Sequence, residues 1–168
     1  AAGLRAPAAQ ASPKFFYDAL GSRLFDAITE LPEYYLTRTE AGIFDAQGPT
    51  IAQAALVATG PHPLMVDLGA GNCAKAARLF DALAPRRYVA VDISVDFLRQ
   101  SLLQVQRAHP AMDLLGLGLD FSTRLQLPAD AVSGPALVFY PGSSIGNFAP
   151  DQALRLLREA RAVAAGGA

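Results

Sequence analysis

Three aspartates of this 168-residue chain stand at or near the ends of three apolar runs, and two glycines follow the first of them. Asp67 lies within Leu64-Met65-Val66-Asp67-Leu68, which runs directly into Gly69-Ala70-Gly71. Asp92 closes Arg87-Tyr88-Val89-Ala90-Val91, and Asp120 follows Gly118-Leu119. Each apolar run reads as a short buried strand, so the three acids fall on one edge of a sheet. An acid ending the second strand, about 20 residues beyond the glycines, can accept both hydroxyls of a ribose. A further carboxylate there can accept from an adenine amino group while backbone N–H groups meet ring nitrogens. Glycine suits the turn because it tolerates positive φ and lets a ligand lie against bare backbone. The run Ala74–Leu83 has the composition of a helix, whose free N–H groups would point at the same place. Together these residues describe an adenosine site at the carboxyl end of a parallel strand.

The glycine turn alone does not carry that reading, since strand-to-helix turns with glycine also serve a purely structural purpose. The three acids are what add to it. Two ligands then compete. Gly69-Ala70-Gly71-Asn72-Cys73-Ala74 matches the dinucleotide pattern, which favours NAD(P) and an oxidoreductase. Asp67, however, stands two residues before Gly69, where a carboxylate would face a pyrophosphate. An acid in that position better suits a ligand with a cationic amine and sulfonium. S-adenosylmethionine is therefore the favoured cofactor. An NAD-dependent enzyme would also need a hydride-handling residue after the fourth strand, where Ser144 and Asn147 come without a catalytic Tyr-Lys pair.

The elements that must position these groups follow in order. Ala1–Pro13 is rich in Ala and Pro and reads as a poorly ordered tail. Pro13 can start a helix, and Phe16, Leu20, Leu24, Phe25 and Ile28 recur at helical spacing until Pro32. Thr37-Arg38-Thr39-Glu40 has the spacing of a capping box, so a second helix is expected to start at Thr37 or Thr39. Gly48-Pro49 should interrupt it before it resumes to about Ala58. Ser94 is expected to cap a helix that Pro110 ends. Strands are predicted at Leu114–Leu119 and Ala136–Tyr140, with only a short or irregular connection between them. The fourth strand enters Pro141-Gly142-Ser143-Ser144-Ile145-Gly146-Asn147-Phe148, a loop of turn formers carrying polar groups at the ligand edge. A last helix covers 151–164.

The fold class is therefore α/β: a Rossmann-like open parallel sheet of order 3-2-1-4 with an N-terminal helical extension. Residues 1–13 form the tail, 14–60 an N-terminal helical part of the substrate site, and 61–168 the nucleoside-binding domain. In this order the fourth strand is an edge, and it is wholly apolar, which edge strands normally avoid. We expect a fragment, truncated after the fourth strand, whose sheet would continue with a fifth strand just after Gly166-Gly167 or be completed by a partner through self-association. The alternative is a short domain whose edge the N-terminal helices cover.

Composition limits the partners. The chain is 52% hydrophobic and 17% charged with a net charge of −1, which suits a sheet buried on both faces. No clustered basic stripe favours nucleic acid, and no apolar run reaches the length of a membrane span. One cysteine rules out an internal disulfide framework or a multi-cysteine metal site, and no metal is expected. A cytoplasmic setting is expected. His62 and His109 form no metal-spaced pair and read as structural, as does Cys73, which lacks an evident base partner. Tyr17, Tyr34 and Tyr35 could be helix-packing residues, although Pro32-Glu33-Tyr34-Tyr35 in a connector can also aim hydroxyls into a cleft.

Several separated segments closely resemble one family. They are Phe15-Phe16-Tyr17-Asp18-Ala19-Leu20-Gly21-Ser22, Ile28-Thr29-Glu30-Leu31-Pro32-Glu33-Tyr34-Tyr35-Leu36-Thr37-Arg38-Thr39-Glu40, Asp67-Leu68-Gly69-Ala70-Gly71 with Lys75, Asp92, Leu119-Asp120-Phe121, and Tyr140 to Phe148. This succession resembles the histidine-specific methyltransferases, some of which make trimethylhistidine on the route to ergothioneine. The resemblance implies a class I methyltransferase fold in which Gly69, Lys75, Asp92, Asp120 and Phe121 bind S-adenosylmethionine, to which the reading of the glycine turn adds Gly71. It implies further that Tyr34 and Asn147 hold the amino and carboxylate ends of an amino-acid substrate and orient it for catalysis, with Tyr17 lining the same pocket. The implied reaction is methylation of the α-amino group of an amino acid, L-histidine first among them. Relatives of similar pattern act on other amino acids, including prenylated tryptophan in fungi. Leu36 departs from the proline that many members carry after the double tyrosine. A domain that binds the cofactor without turnover is the non-catalytic alternative.

Overall fold

The computed structural model describes residues 3–5, 7, 9 and 18–168. Tyr17, the helix start expected at Pro13 and most of the expected tail lie outside the described residues. Four strands form one sheet in the order β3-β2-β1-β4, with every neighbouring pair parallel. They are β1 (Leu64–Leu68), β2 (Arg87–Asp92), β3 (Leu114–Gly118) and β4 (Ala136–Phe139). All five residues of β1 are buried, as expected of a central strand covered on both faces. The order predicted from the sequence is the order observed.

One face of the sheet carries three helices, namely α2 (Tyr35–Thr59), α3 (Ala74–Leu83) and α4 (Val95–Ala108). Their apolar positions, including Ala52, Ala55, Ala76, Leu79, Phe80, Leu98 and Val105, meet Met65, Tyr88, Ala90 and Leu137 from the strands. The other face is covered by α5 (Pro150–Ala164) through Leu156, Ala160 and Val163, and by the connection from β3 to β4 through Leu125 and Leu127. That connection holds no helix, in agreement with the sequence.

Two local expectations need correction. The second helix begins at Tyr35 with Tyr34 at its N-cap, two residues before the expected Thr37, so the spacing of a capping box is not used as one. Arg38 instead turns back and donates to the carbonyls of Leu31 (2.8 Å) and Pro32 (2.5 Å), closing the connector from α1 (Ala19–Thr29). Glu40 is thereby released for another partner. The helix also runs unbroken through Gly48-Pro49. Buried Gly48 faces Leu79 of α3, and packing along the whole helix outweighs the hydrogen bond that Pro49 cannot donate.

Smaller differences fall at element ends. β3 stops at Gly118 and β4 at Phe139, each one residue before the expected limit, and α5 starts at Pro150 rather than 151. Ser94 stands at the N-cap of α4 but makes no capping bond with its side chain. At the outer edge of β4, Ala168 N–H donates to Ala136 O (3.1 Å) and Val138 N–H to Ala168 O (2.6 Å), the pattern of one parallel rung. The edge that the sequence offers for self-association is thus partly taken by the chain itself. Among the described residues no helix is long and apolar enough to cross a membrane.

α1 begins after Asp18, whose carboxylate caps Gly21 N–H at 2.7 Å. Its apolar residues have the predicted spacing but not a buried face, since Leu20, Leu24, Phe25 and Ile28 are 41–66% exposed. The helix is fastened by polar contacts instead. Ser22 Oγ lies 2.8 Å from Ser94 Oγ, and Asn72 Nδ2 donates to Asp26 Oδ1 at 3.2 Å. Both bonds tie α1 to the carboxyl edge of the sheet.

Candidate functional site

The turn after β1 is built by glycine at φ +73° (Gly69) and +55° (Gly71), conformations that cost a residue with a Cβ about 1–2 kcal/mol. The left-handed sequence continues at Cys73 (φ 61°), after which α3 starts. Gly69 and Ala70 both donate N–H groups to Val91 O, at 2.8 and 3.1 Å, so the turn is bound to the end of β2. Asp92 completes that link. Its Oδ2 accepts from Gly71 N–H and its Oδ1 from Ser94 N–H, both at 2.9 Å. A carboxylate has about four acceptor positions, so two remain for a ligand. Asp92 therefore shapes the glycine turn as well as offering oxygens at its rim, a double role the sequence does not reveal.

Phe121 follows Asp120 out of β3, and its ring comes so close to Gly69 that a Cβ there would lie 3.8 Å from Phe121 Cζ. The ring meets Tyr140, just after β4, edge-on at 5.9 Å. Asp120 Oδ1 accepts from both the N–H and the hydroxyl of Ser122. The structure thus brings together Gly69, Gly71, Asp92 and Phe121 around one turn, with Asp120 next to Phe121 in the chain.

Lys75, in the first turn of α3, pairs with Glu40 of α2 at 2.6 Å. The loop after β4 touches the same pair, since a Cβ on Gly142 (φ +82°) would lie 3.0 Å from Lys75 Nζ. Glu40 is a site-facing residue that the sequence reading assigned to a cap. Asn147 closes the short 3-10 helix Ser144–Asn147 of this loop and is exposed. Tyr34 is half-buried, its ring set edge-on to Phe25 at 5.9 Å. No hydrogen bond or ring contact joins Tyr34 to Asn147 among the described residues. Glu40, six positions beyond Tyr34, links α2 to Lys75 at the start of α3.

Asp67 is the most unusual group. It is 2% exposed, and Tyr88 donates its hydroxyl to Oδ2 at 2.7 Å. Oδ1 has no hydrogen-bond partner among the described residues. Burial pushes the carboxyl up to about 7 against the opposing hydrogen bond from Tyr88, with Asp92 raising it further and Lys75 lowering it. A buried acceptor left open on the edge of the glycine turn fits a ligand that brings a cationic N–H donor. The bare backbone at Gly69 and the spare acceptor positions of Asp92 fit a nucleoside. S-adenosylmethionine offers both.

Burial likewise pushes the Cys73 thiol up to about 12, so it is a filler of the turn and not a nucleophile. We expect a thiol reagent at about pH 8 to leave Cys73 unmodified until the chain is denatured, as read by intact mass. The structural readings of the histidines agree with their contacts. His62 Nδ1 lies 2.9 Å from Ala84 O, and His109 packs edge-on against Phe80.

Sheet order and glycine turn define the fold of the class I, S-adenosylmethionine-dependent methyltransferases. The fold is shared with magnesium protoporphyrin IX methyltransferase from Synechocystis PCC 6803, solved with bound S-adenosylhomocysteine, at a TM-score of 0.64 and 14% identity over 89% of this chain and 65% of that one. The family model for histidine-specific, S-adenosylmethionine-dependent methyltransferases matches residues 1–168, and the chain belongs to that family. It is 38% identical over 154 residues to histidine N-alpha-methyltransferase of Mycolicibacterium smegmatis, covering 89% of this chain and 46% of that protein. It is 32% identical over 151 residues to ergothioneine biosynthesis protein 1 of Schizosaccharomyces pombe, covering 84% of this chain and 19% of that protein. The chain spans about half the length of the bacterial relatives it matches, 46% and 47%. Membership in this family removes the NAD(P) oxidoreductase alternative, because the glycine pattern shared with dinucleotide folds accompanies a different cofactor.

Proposed function

We propose that this chain carries the donor site and part of the acceptor site of an N-methyltransferase that acts on the α-amino group of an amino acid, with L-histidine the substrate. The observation that carries the reading is the open, buried Asp67 oxygen beside the glycine turn, in a chain whose family is histidine-specific. The names of the bacterial relatives support histidine in particular. Gly69 and Gly71 give the donor bare backbone, Asp92 takes the ribose hydroxyls, and Asp120 with Phe121 holds the adenine. Lys75, steadied by Glu40, faces the carboxylate of the donor.

When bound, S-adenosylmethionine supplies a methyl group on a cationic sulfur that is already strongly electrophilic. The residues of the chain therefore contribute mostly position, which can be worth about 7–11 kcal/mol when the attack geometry is fixed. Tyr34 and Asn147 hold the amino and carboxylate ends of the amino acid. Both side chains can accept as well as donate, so they can orient a neutral amine lone pair. No general base is assigned, and solvent takes the proton. Residues 14–60 act as the helical part of the acceptor site and 61–168 as the donor domain, in a cytoplasmic protein.

The test is methyl transfer by the full-length protein, followed by mass spectrometry with each amino acid in turn. Mass gain on L-histidine, located at the α-nitrogen, is expected. Transfer to another amino acid with none to histidine would overturn the substrate assignment.

A further inference from the structure

Tyr88 is the second residue of β2 and is 0% exposed, and phenylalanine would fill nearly the same space there. Its hydroxyl is what distinguishes it, and that hydroxyl is directed at one oxygen of Asp67. The ring cannot easily turn away, because Phe80 of α3 packs edge-on against it at 5.0 Å and His109 in turn packs on Phe80. With Oδ2 already accepting from Tyr88, Oδ1 is the Asp67 oxygen without a hydrogen-bond partner among the described residues. We propose that Tyr88 is a positioning residue for donor binding: its hydroxyl orients the Asp67 carboxylate and favours the ionised form, and donor affinity depends on the protonation of Asp67. This rests on the donor-site reading above and adds to it a residue and a pH dependence.

The groups facing Asp67 from each packed element are few. Tyr88 and Asp92 come from β2, Cys73 from the turn, and Lys75 from α3, the last already paired with Glu40 of α2. Tyr88 and Cys73 are both held neutral by burial. Burial brings Asp67 itself to about 7, while the Tyr88 hydroxyl works in the opposite direction. The sign follows. A donor whose ammonium pairs with the carboxylate binds the ionised form, so affinity rises with pH through that value and levels off above it. Removing the hydroxyl takes away a bond that favours the charged form, so the midpoint moves upward.

The experiment is titration of S-adenosylhomocysteine into the full-length chain from about pH 6 to about pH 9, spanning the midpoint. The wild type should gain about tenfold in affinity per pH unit below the midpoint. Tyr88→Phe should displace the curve by about one unit to higher pH and rejoin the wild type at the alkaline end. Ionisation of the ligand is common to both proteins and cancels in the comparison. A flat wild-type curve overturns the inference, as does a Tyr88→Phe curve that coincides with the wild type or lies below it by a constant factor. Should Tyr88→Phe not fold, Asp67→Asn decides: a weak, flat profile supports the inference, and a retained slope overturns it. Absence of binding at every pH would defeat the donor-site reading itself, whereas binding without pH dependence defeats only this addition.

Discussion

Asp92→Ala is expected to cost about 100-fold or more in affinity for S-adenosylhomocysteine and to lower stability by about 2–4 kcal/mol. The two losses have one origin. The carboxylate receives Gly71 N–H and Ser94 N–H in the structure, and bonds to a charged acceptor are worth about 1.5–3 kcal/mol each. Alanine leaves both donors without it and frees the turn from the end of β2, so the surface that a nucleoside would meet loses its shape. The ribose hydroxyls lose their acceptor in the same step. Asp92→Asn is not a mild change either. An amide has one oxygen, so its NH₂ must face one of the two N–H donors. Equilibrium binding and chemical denaturation on the same samples separate the two parts. Unchanged donor affinity in a destabilised Asp92→Ala protein would show that the residue is a brace of the turn and nothing more.

Asn147→Ala should spare the donor and strike the acceptor. We expect KM for the amino acid to rise about 10–100-fold, with the Kd of S-adenosylhomocysteine within about twofold of wild type. The residue lies at the end of the 3-10 helix after β4, exposed, and its side chain makes no bond on which the fold depends. Its loss is therefore expected to remove the proposed substrate contact without unsettling the sheet. Steady-state kinetics in both substrates decide this. Equal weakening of donor and amino acid in Asn147→Ala would contradict the division of roles between the two residues.

Much of this arrangement was legible before any coordinates. Buried parallel strands are read easily because all-apolar runs ending in glycine or aspartate have few other uses, and β1, β2 and β3 follow that pattern. The connection between β3 and β4 holds no helix, as expected, although length alone does not forbid one, since the similar span from β1 to β2 carries α3. Less was visible where tertiary packing decides. Pro49 is a strong local signal for a break, but packing against α3 carries the helix through it. Thr37 to Glu40 satisfies the spacing of a cap, yet Arg38 and Glu40 find partners in other elements. Spacing names what a segment can do alone and is silent on competing partners.

The site shows the same division. Asp92 was recognisable as a candidate ribose acceptor from its place at a strand end, but its grip on Gly71 depends on a register that only the folded sheet supplies. Tyr88 was passed over as one more strand residue. A signal was present, because a tyrosine in a strand buried on both faces must find a partner for its hydroxyl, and Asp67 is the acid in the strand beside it. Glu40 and Asp26 carried no comparable signal. Their partners, Lys75 and Asn72, are 35 and 46 positions away.

The central claim is that the carboxyl edge of this sheet binds an adenosyl ligand with a cationic amine and not a dinucleotide. Thermal unfolding of the chain with S-adenosylhomocysteine, and separately with NAD, tests it most directly. A ligand at about 100 times its Kd stabilises by about 2.7 kcal/mol, which at this size raises Tm by about 5–10 °C. The account predicts that rise with S-adenosylhomocysteine and no shift with NAD. A shift with NAD alone would contradict it.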